Sequence, residues 1–259
     1  MDSETITARQ IGYTYMINSS TFAKRYKDTL SNFETWEQKD HASKWILIPQ
    51  NVGKEQGIDE TSLQGELYTI VHNKDAHGRK GAIIAVVKGT NPADVLKVLM
   101  QLPADKREMV ENITMDLSDC MRVIAREAFP KATVIRDCFH VVKRGGEGCE
   151  EVRLRLKREA VKDVNSLRAI FRNKKLTKET AKQKFKEWYE KVASCTLREV
   201  KSVRDTIRFY EDEILNYFDG RKTNASAESL NSKIKCFRAQ VKGVIDIPFF
   251  MYRLATVLG

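Results

Sequence analysis

The sequence has few cysteines, and their arrangement indicates neither a disulfide framework nor a zinc site. Its 259 residues contain five cysteines, an odd number, and no Cys-x-x-Cys pair. We interpret all five as reduced thiols. Histidine is also scarce, with four residues. His72 and His77, which lie beside a presumed turn, are expected to face solvent rather than to bind a metal.

Long apolar runs are missing as well. No segment approaches the roughly 18 apolar residues that a membrane span needs. The start, MDSETITARQ, lacks the apolar stretch of a secretory signal. These absences predict a cytoplasmic protein without membrane contact. The length is enough for one sizeable domain, or for a catalytic domain with a helical extension.

Positive charge is unevenly distributed along the chain. The net charge is +10, yet residues 1–142 carry 18 basic against 19 acidic side chains, whereas residues 143–259 carry 27 against 16. A basic surplus of this kind attracts phosphates without regard to sequence. It favours a nucleic-acid partner, although an RNA-binding or ribosomal protein would show the same balance.

The segment TNASAESLNSKIKCFRAQVKGV, residues 223–244, reads as a helix with two faces. Its apolar stripe comprises Leu230, Ile234, Phe237 and Val241. At 100° per residue, a second stripe within about 80° contains one carboxylate among polar and basic residues: Glu228, Asn231, Lys235, Arg238 and Lys242. The alternative is a solvated helix whose single glutamate balances nearby lysines.

Two aspartates accompany β-prone segments upstream. Asp59 is expected just before a strand that alternates through Leu67, Thr69 and Val71, and GAIIAVVKG would pair with that strand across a turn at Gly78. Asp116 is expected to end a strand in ENITMDLSD. A helix beginning near Asp119 and closed by Pro130 follows, then a third short strand in ATVIRDCFHVV. This order of elements is typical of a ribonuclease H-like α/β domain.

Four blocks together are similar to the motifs of one enzyme family: IDETSLQGELYTIV, ITMDLSD, RDCFHV and ILNYFDGRKTNASAESLNSKIKCFRAQVKGV. The chain resembles, with gaps from about Trp36 onward, the DDE transposases of bacterial insertion sequences of the insertion-sequence L-three type. The resemblance implies a ribonuclease H-like core, a mixed sheet flanked by helices with a helical insertion and a helical C-terminus.

The resemblance also implies a metal-binding triad of Asp59, Asp116 and Glu228. Two divalent ions, Mg²⁺ or Mn²⁺, would activate the attacking oxygen and stabilise the leaving oxygen of a phosphodiester. Carboxylate oxygens suit Mg²⁺. Glu60 could replace Asp59 in this assignment, and each aspartate taken singly could be a turn or cap residue.

Further residues follow from the same resemblance and from the basic stripe. Asp137 and His140 belong to the family's Asp-x-Phe-His block as accessory residues, with Cys138 where a basic residue is more usual. The expected DNA contacts, made to phosphates rather than bases, are Lys222, Asn231, Lys233, Lys235, Arg238 and Lys242.

The organisation predicted along the chain has four parts. They are a helical N-terminal segment (1–50), the first part of the core (51–145), an abbreviated helical insertion (146–219) and the catalytic helix with a basic tail (220–259). In the N-terminal segment, Ser20 is expected to cap a helix, and Trp36 and Trp45 are expected to be packing residues. The cysteine-bearing and helix-turn-helix modules that family members usually carry at their N-terminus are not visible.

The predicted function is cleavage of DNA at the ends of an insertion sequence and strand transfer into target DNA. The enzyme would act as a homodimer assembled on DNA. Two alternatives stay open: a decayed or truncated remnant that only binds DNA, and a nuclease of the same fold that cuts DNA without joining it.

Overall fold

The structure is a computed structural model that describes residues 6–137, 141, 157–195, 197–240 and 246–259, without the side chains of 157–161 and 240. Within these residues the helices are α1 (Ala8–Tyr15), α2 (Ser19–Arg25), α3 (Pro92–Leu99), α4 (Ala104–Glu108), α5 (Asp119–Ala128), α6 (Lys157–Arg172), α7 (Lys178–Ala193), α8 (Arg198–Phe209), α9 (Glu211–Leu215), α10 (Ala225–Gln240) and α11 (Ile247–Leu258).

Six strands in the described part of the chain form one sheet. They are β1 (Trp45–Leu47), β2 (Glu55–Leu63), β3 (Glu66–Asn73), β4 (Ile83–Lys88), β5 (Asn112–Met115) and β6 (Thr133–Arg136). The sheet order is β1-β4-β3-β2-β5-β6, and β1, β4, β3 and β2 pair antiparallel. The expected succession of strands, helix, strand, helix and strand is present, and the ribonuclease H-like α/β fold is confirmed.

One expectation about the first strands is wrong. Asp59 does not precede a strand; it lies in the middle of β2, opposite Ile70 of β3. The two strands are joined by a hairpin turn at Gln64 and Gly65, whose φ angles are 54° and 82°. Two successive positive φ angles allow a two-residue turn that matches the twist of the strands. The polar run from Asp59 to Ser62 lacks the apolar alternation that would have revealed β2.

The chain divides into two compact units. Unit 1 comprises Met1–Ile113, Cys120–Ala132 and Ala225–Gly259; unit 2 comprises Thr114–Asp119 and Thr133–Asn224. The domain boundaries predicted at residues 50, 145 and 219 stay predictions.

Unit 1 has its core between the antiparallel strands and two C-terminal helices. Buried side chains of the strands meet the apolar faces of α10 and α11 in one cluster, which includes Ile46, Ile70, Ile83, Val86, Leu230, Ile234, Phe237, Phe250, Met251 and Leu254. Burial of such side chains removes apolar surface from water and is the main driving force for folding. The core therefore fixes α10 against β2.

The N-terminal segment packs on α11 through aromatic side chains. Phe33 lies with its ring centroid 5.1 Å from that of Phe249, and Trp36 lies 5.4 Å from Tyr252. The packing role expected of Trp36 is thus confirmed, while Trp45 stacks on His41.

The cap expected in the N-terminal segment is wrong. Asn18 caps α2, because its side-chain oxygen accepts hydrogen bonds from the amides of Ser20 and Thr21. An N-cap oxygen reaches the second and third amides that follow it. Ser20 is one of the residues being capped, and Asn18 is the residue that caps.

Unit 2 is largely helical and has its own core. Helices α6 to α9 and the turn that follows them bury Leu167, Phe171, Phe185, Trp188, Val203, Ile207, Ile214 and Phe218 together with Ile135 of β6. Among the described residues, no helix combines the length and the apolar character needed to cross a membrane.

Candidate active site

Helix α10 carries the predicted glutamate and, three residues later, a side chain that contacts the first predicted aspartate within unit 1. Leu230, Ile234 and Phe237 are each about 1% exposed, which confirms the apolar stripe for these three residues; Val241 lies outside the described residues. Glu228 is on the exposed side of the helix. Asn231 lies three residues further on, so it occupies the same face one turn later.

Asn231 connects this face to β2. Its side-chain amide donates to Oδ2 of Asp59 at 2.7 Å and to the carbonyl oxygen of Glu60 at 3.1 Å. The other carboxylate oxygen of Asp59 accepts from the amide of Glu60 at 2.8 Å. Both oxygens are thereby oriented, and Glu228 lies one helical turn from the residue that holds Asp59.

The geometry distinguishes Asp59 from its neighbour Glu60. Successive side chains of a strand point to opposite faces of the sheet. Asp59 points to the face on which α10 packs, because Asn231 of that helix reaches its carboxylate. From Glu60, the backbone carbonyl accepts a hydrogen bond from the same Asn231 amide. The arrangement favours Asp59 over Glu60 as the partner of Glu228.

His72 joins the start of α10 to β3 and is buried, so the expectation of solvent exposure was wrong for this residue. Its Nε2 lies 3.1 Å from the hydroxyl of Ser226, and the side chain is 1% exposed. Burial, together with the nearby positive charge of Lys74, lowers the pKa of His72 to about 4. The imidazole is therefore neutral at pH 7. His77 is exposed, as expected.

The basic residues predicted to contact DNA differ in their hydrogen bonds and in their exposure. Lys233 donates to the carbonyl of Gly78 at 2.8 Å, and Arg238 donates to the carbonyl of Ser62 at 3.0 Å. Lys233 thus attaches α10 to the connection between β3 and β4, and Arg238 attaches it to β2. Lys235 is exposed, and Lys222 is half-buried in unit 2. Lys242 lies outside the described residues.

Asp116 lies in unit 2, immediately after β5, as predicted. Its carboxylate accepts a hydrogen bond from the amide of Leu117. Its carbonyl oxygen accepts from Nη1 of Arg136 at 2.6 Å, and the carbonyl of Ser118 accepts from the same nitrogen at 3.1 Å. The backbone that carries Asp116 is therefore held by one guanidinium. The convergence of Asp116 with Asp59 and Glu228 remains a prediction.

Arg136 is itself held on two sides. It is fully buried, its Nε donates to Oε2 of Glu213 at 2.8 Å, and its guanidinium carbon lies 4.1 Å from the ring centroid of Tyr210. The hydroxyl of Tyr210 donates to Asp119 at 2.6 Å. Asp119 begins α5, as predicted.

Asp137 adjoins this network, and it is 2% exposed. Its amide donates to the carbonyl of Met115 at 2.9 Å, which aligns the end of β6 with the end of β5. His140, predicted as its accessory partner, lies outside the described residues.

Sequence reasoning missed Arg136, Glu213 and Tyr210. A signal was present, because the charged Arg136 ends the β-prone run TVIR, whose last three residues are buried. A charged residue inside a buried strand requires a partner. The partner lies 77 residues away, and no local pattern identifies it.

The donor set fits a hard divalent cation. Asp59, Asp116 and Glu228 offer carboxylate oxygens, the ligands that Mg²⁺ and Mn²⁺ prefer. In the described part of the chain, no group of three His, Cys, Asp or Glu side chains is already close enough to form a metal site. The triad thus stays a proposal. It rests on the chemistry of the three carboxylates and on the hydrogen bond from Asn231 to Asp59.

Comparison with protein families places the chain in a known family. A family model described as a transposase, of the DDE class and the insertion-sequence L-three type, matches residues 57–167 and 164–254. The match begins within β2, ends within α11 and includes all three predicted triad residues. No match was found among curated proteins.

Proposed function

Because the chain belongs to the DDE transposase family of the insertion-sequence L-three type, we propose that it cuts DNA at the ends of an insertion sequence and joins those ends to target DNA. In the first step, water attacks a phosphodiester and releases a 3′-hydroxyl. In the second, that hydroxyl attacks a phosphodiester of the target and displaces its 3′ oxygen. Both steps are in-line displacements at phosphorus, so one site can perform both.

Asp59, Asp116 and Glu228 are the proposed metal ligands. Two Mg²⁺ or Mn²⁺ ions, when bound, supply charge stabilisation for the attacking and leaving oxygens. The protein contributes oriented carboxylates. Asn231 keeps Oδ2 of Asp59 in one direction by its 2.7 Å hydrogen bond, so this ligand loses little conformational freedom when a metal binds.

The observation that carries the proposal is this contact between Asn231 and Asp59. Glu228 and Asn231 belong to the same helix face, and Asp59 is separated from Asn231 by 172 positions in the chain. A solvated helix with one charge-balancing glutamate would not need to orient a distant carboxylate. A carboxylate oriented by the helix that carries Glu228 favours the enzyme over the DNA-binding remnant.

DNA is the partner expected of a transposase, and the basic surplus of residues 143–259 supports it. We propose that the exposed cations of α10 contact phosphates, and that two copies of the chain assemble on DNA. We also propose that the reaction takes place in the cytoplasm.

A cleavage assay on intact donor DNA, together with a strand-transfer assay on a labelled, pre-cleaved end, tests the proposal. Wild-type protein with Mg²⁺ or Mn²⁺ should cleave donor DNA and join the labelled end to a target plasmid. Cleavage without joining would show a nuclease of this fold. Binding without either reaction would show a remnant.

Substitutions in the triad give the matched controls. Asp59→Asn, Asp116→Asn and Glu228→Gln should each abolish both reactions while DNA binding persists. Glu60→Gln removes the neighbouring charge and should leave cleavage intact. If Glu60→Gln abolished cleavage and Asp59→Asn did not, Glu60 would be the ligand.

A further inference from the structure

We propose that Arg136 is a positioning residue for Asp116, acting on the backbone of the loop that connects β5 to α5. The inference rests on the proposed function, because it concerns a carboxylate proposed to bind metal. In this proposal Arg136 contacts neither metal nor DNA. Its buried ion pair with Glu213 keeps it in place to bind the loop.

The loop is short and its carbonyl groups are held from one side. Residues 116–118 lie between the end of β5 and the start of α5. Nη1 of Arg136 reaches the carbonyl oxygens of Asp116 and Ser118 at 2.6 and 3.1 Å. One donor thus fixes two peptide groups on either side of Leu117. Rotation of either peptide would break a charge-assisted hydrogen bond, which is stronger than a neutral one.

Stability alone does not explain a charged residue here. Arg136 is 0% exposed, and its partner Glu213 is 6% exposed. Removing two charges from water is costly, and replacing a buried ion pair by apolar residues of similar volume is often neutral or stabilising. An apolar pair would fill the same space, but it would not donate hydrogen bonds to the two loop carbonyls. Those hydrogen bonds are what the charged pair adds.

A second contact holds the far end of the loop. The ring of Tyr210 covers the guanidinium at 4.1 Å, and its hydroxyl donates to Asp119 at 2.6 Å. Glu213, on α9, follows Tyr210 by three residues. The same short stretch of chain therefore neutralises Arg136 and fixes the residue after the loop. The loop is therefore held at the carbonyls of Asp116 and Ser118 and at Asp119, which follows it.

The experiment separates positioning from packing with the double variant Arg136→Met/Glu213→Leu. It removes both charges and keeps an apolar volume, so its melting temperature should stay near that of the wild type or exceed it. Amide hydrogen exchange across residues 114–120 should nevertheless become faster. Mn²⁺ binding, read by electron paramagnetic resonance, should weaken about 10- to 100-fold, as is typical when the groups that orient metal ligands are removed.

Two single variants complete the design. Arg253→Met removes another buried arginine, one that lies over the ring of Phe237 in unit 1; it should leave exchange across residues 114–120 unchanged. Arg136→Lys keeps a positive charge beside Glu213 but cannot present the planar fork of donors. It should show the same faster exchange and weaker Mn²⁺ binding, and it decides the question if the double variant does not fold.

The outcomes distinguish the inference from the proposed function. Normal exchange across residues 114–120 in the double variant, or in Arg136→Lys if the double variant does not fold, would overturn the positioning role whatever the activity. Faster exchange with unchanged Mn²⁺ binding would restrict Arg136 to packing and overturn it too. If wild-type protein and Asp116→Asn bound Mn²⁺ equally, the proposed function itself would fail.

Discussion

Two acidic residues proposed for one reaction are held in different ways by the two units of the molecule. In unit 1, a neutral amide from Asn231 holds the carboxylate of Asp59 directly. In unit 2, a buried charge holds the backbone beneath Asp116: Arg136 binds two carbonyls and is neutralised by Glu213. The first contact orients a side chain, and the second orients the peptide groups from which a side chain projects.

The difference shows where stability and function can be separated. A half-exposed amide can be removed at small cost to folding, because water replaces it. Removal of one member of a buried ion pair costs much more, because its partner is left charged in an apolar environment. Unit 1 should therefore tolerate changes at its carboxylate contact, whereas unit 2 should tolerate only changes that remove both charges together.

The largest effect on stability is expected from Arg136→Met alone. It leaves Glu213 buried without its ion pair and should lower the free energy of unfolding by about 3–5 kcal/mol, measured by urea denaturation. Lys184→Met, which removes an exposed pair with Glu187 in the same unit, should cost at most about 1 kcal/mol. If both variants lost the same free energy of unfolding, burial would not increase the cost of breaking an ion pair.

A pH effect should arise in unit 1 from His72. Its pKa in the folded state is about 4, below the ordinary 6.5, so between these values the unfolded chain holds more protons. The free energy of unfolding should therefore fall as the pH is lowered from 6.5 to 4, by about 3 kcal/mol for this group. Above pH 6.5 the contribution is complete and constant.

Urea denaturation at a series of pH values measures this effect. His72→Gln should flatten the decline between pH 6.5 and 4, while His77→Gln, at an exposed position, should leave it as in the wild type. An unchanged decline in His72→Gln would mean that carboxylates, and not this histidine, govern acid sensitivity.

A smaller effect is expected for the amide contact of unit 1. Asn231→Ala should cost about 1 kcal/mol of stability, yet slow DNA cleavage, because Asp59 loses the group that orients it. The exposed neighbour Ser232 serves as control: Ser232→Ala should change stability by no more than about 0.5 kcal/mol and leave cleavage unaffected. Full activity in Asn231→Ala would contradict the orienting role.

The smallest effect on stability concerns the cations of α10. Lys235→Gln should leave stability within about 0.5 kcal/mol of the wild type and reduce the salt dependence of DNA binding by about 0.9 in log–log slope. Arg238→Gln should in addition cost about 1 kcal/mol, because it loses the hydrogen bond to Ser62. If neither variant changed the salt slope, this helix face would be solvated and not bound to DNA.

Much of the architecture could be predicted from local patterns. The apolar residues Leu230, Ile234 and Phe237 of α10, the strand that ends just before Asp116 and the helix that begins at Asp119 agree with the prediction. Side chains repeat every 3.6 residues in a helix and every two in a strand. The sequence did not reveal β2, because the second half of this strand is polar from Asp59 to Ser62. The burial of His72 was also missed, because solvent exposure beside a turn depends on what packs over it.

The sequence by itself determined the family, through four motif blocks, and the faces of individual helices and strands, through their periodicity. Tertiary structure alone decided which distant groups meet. Asn231 reaches Asp59 across 172 positions, and Arg136 reaches Glu213 across 77. Periodicity is set by backbone geometry within a few residues, whereas these contacts exist only after apolar burial has brought remote segments into register.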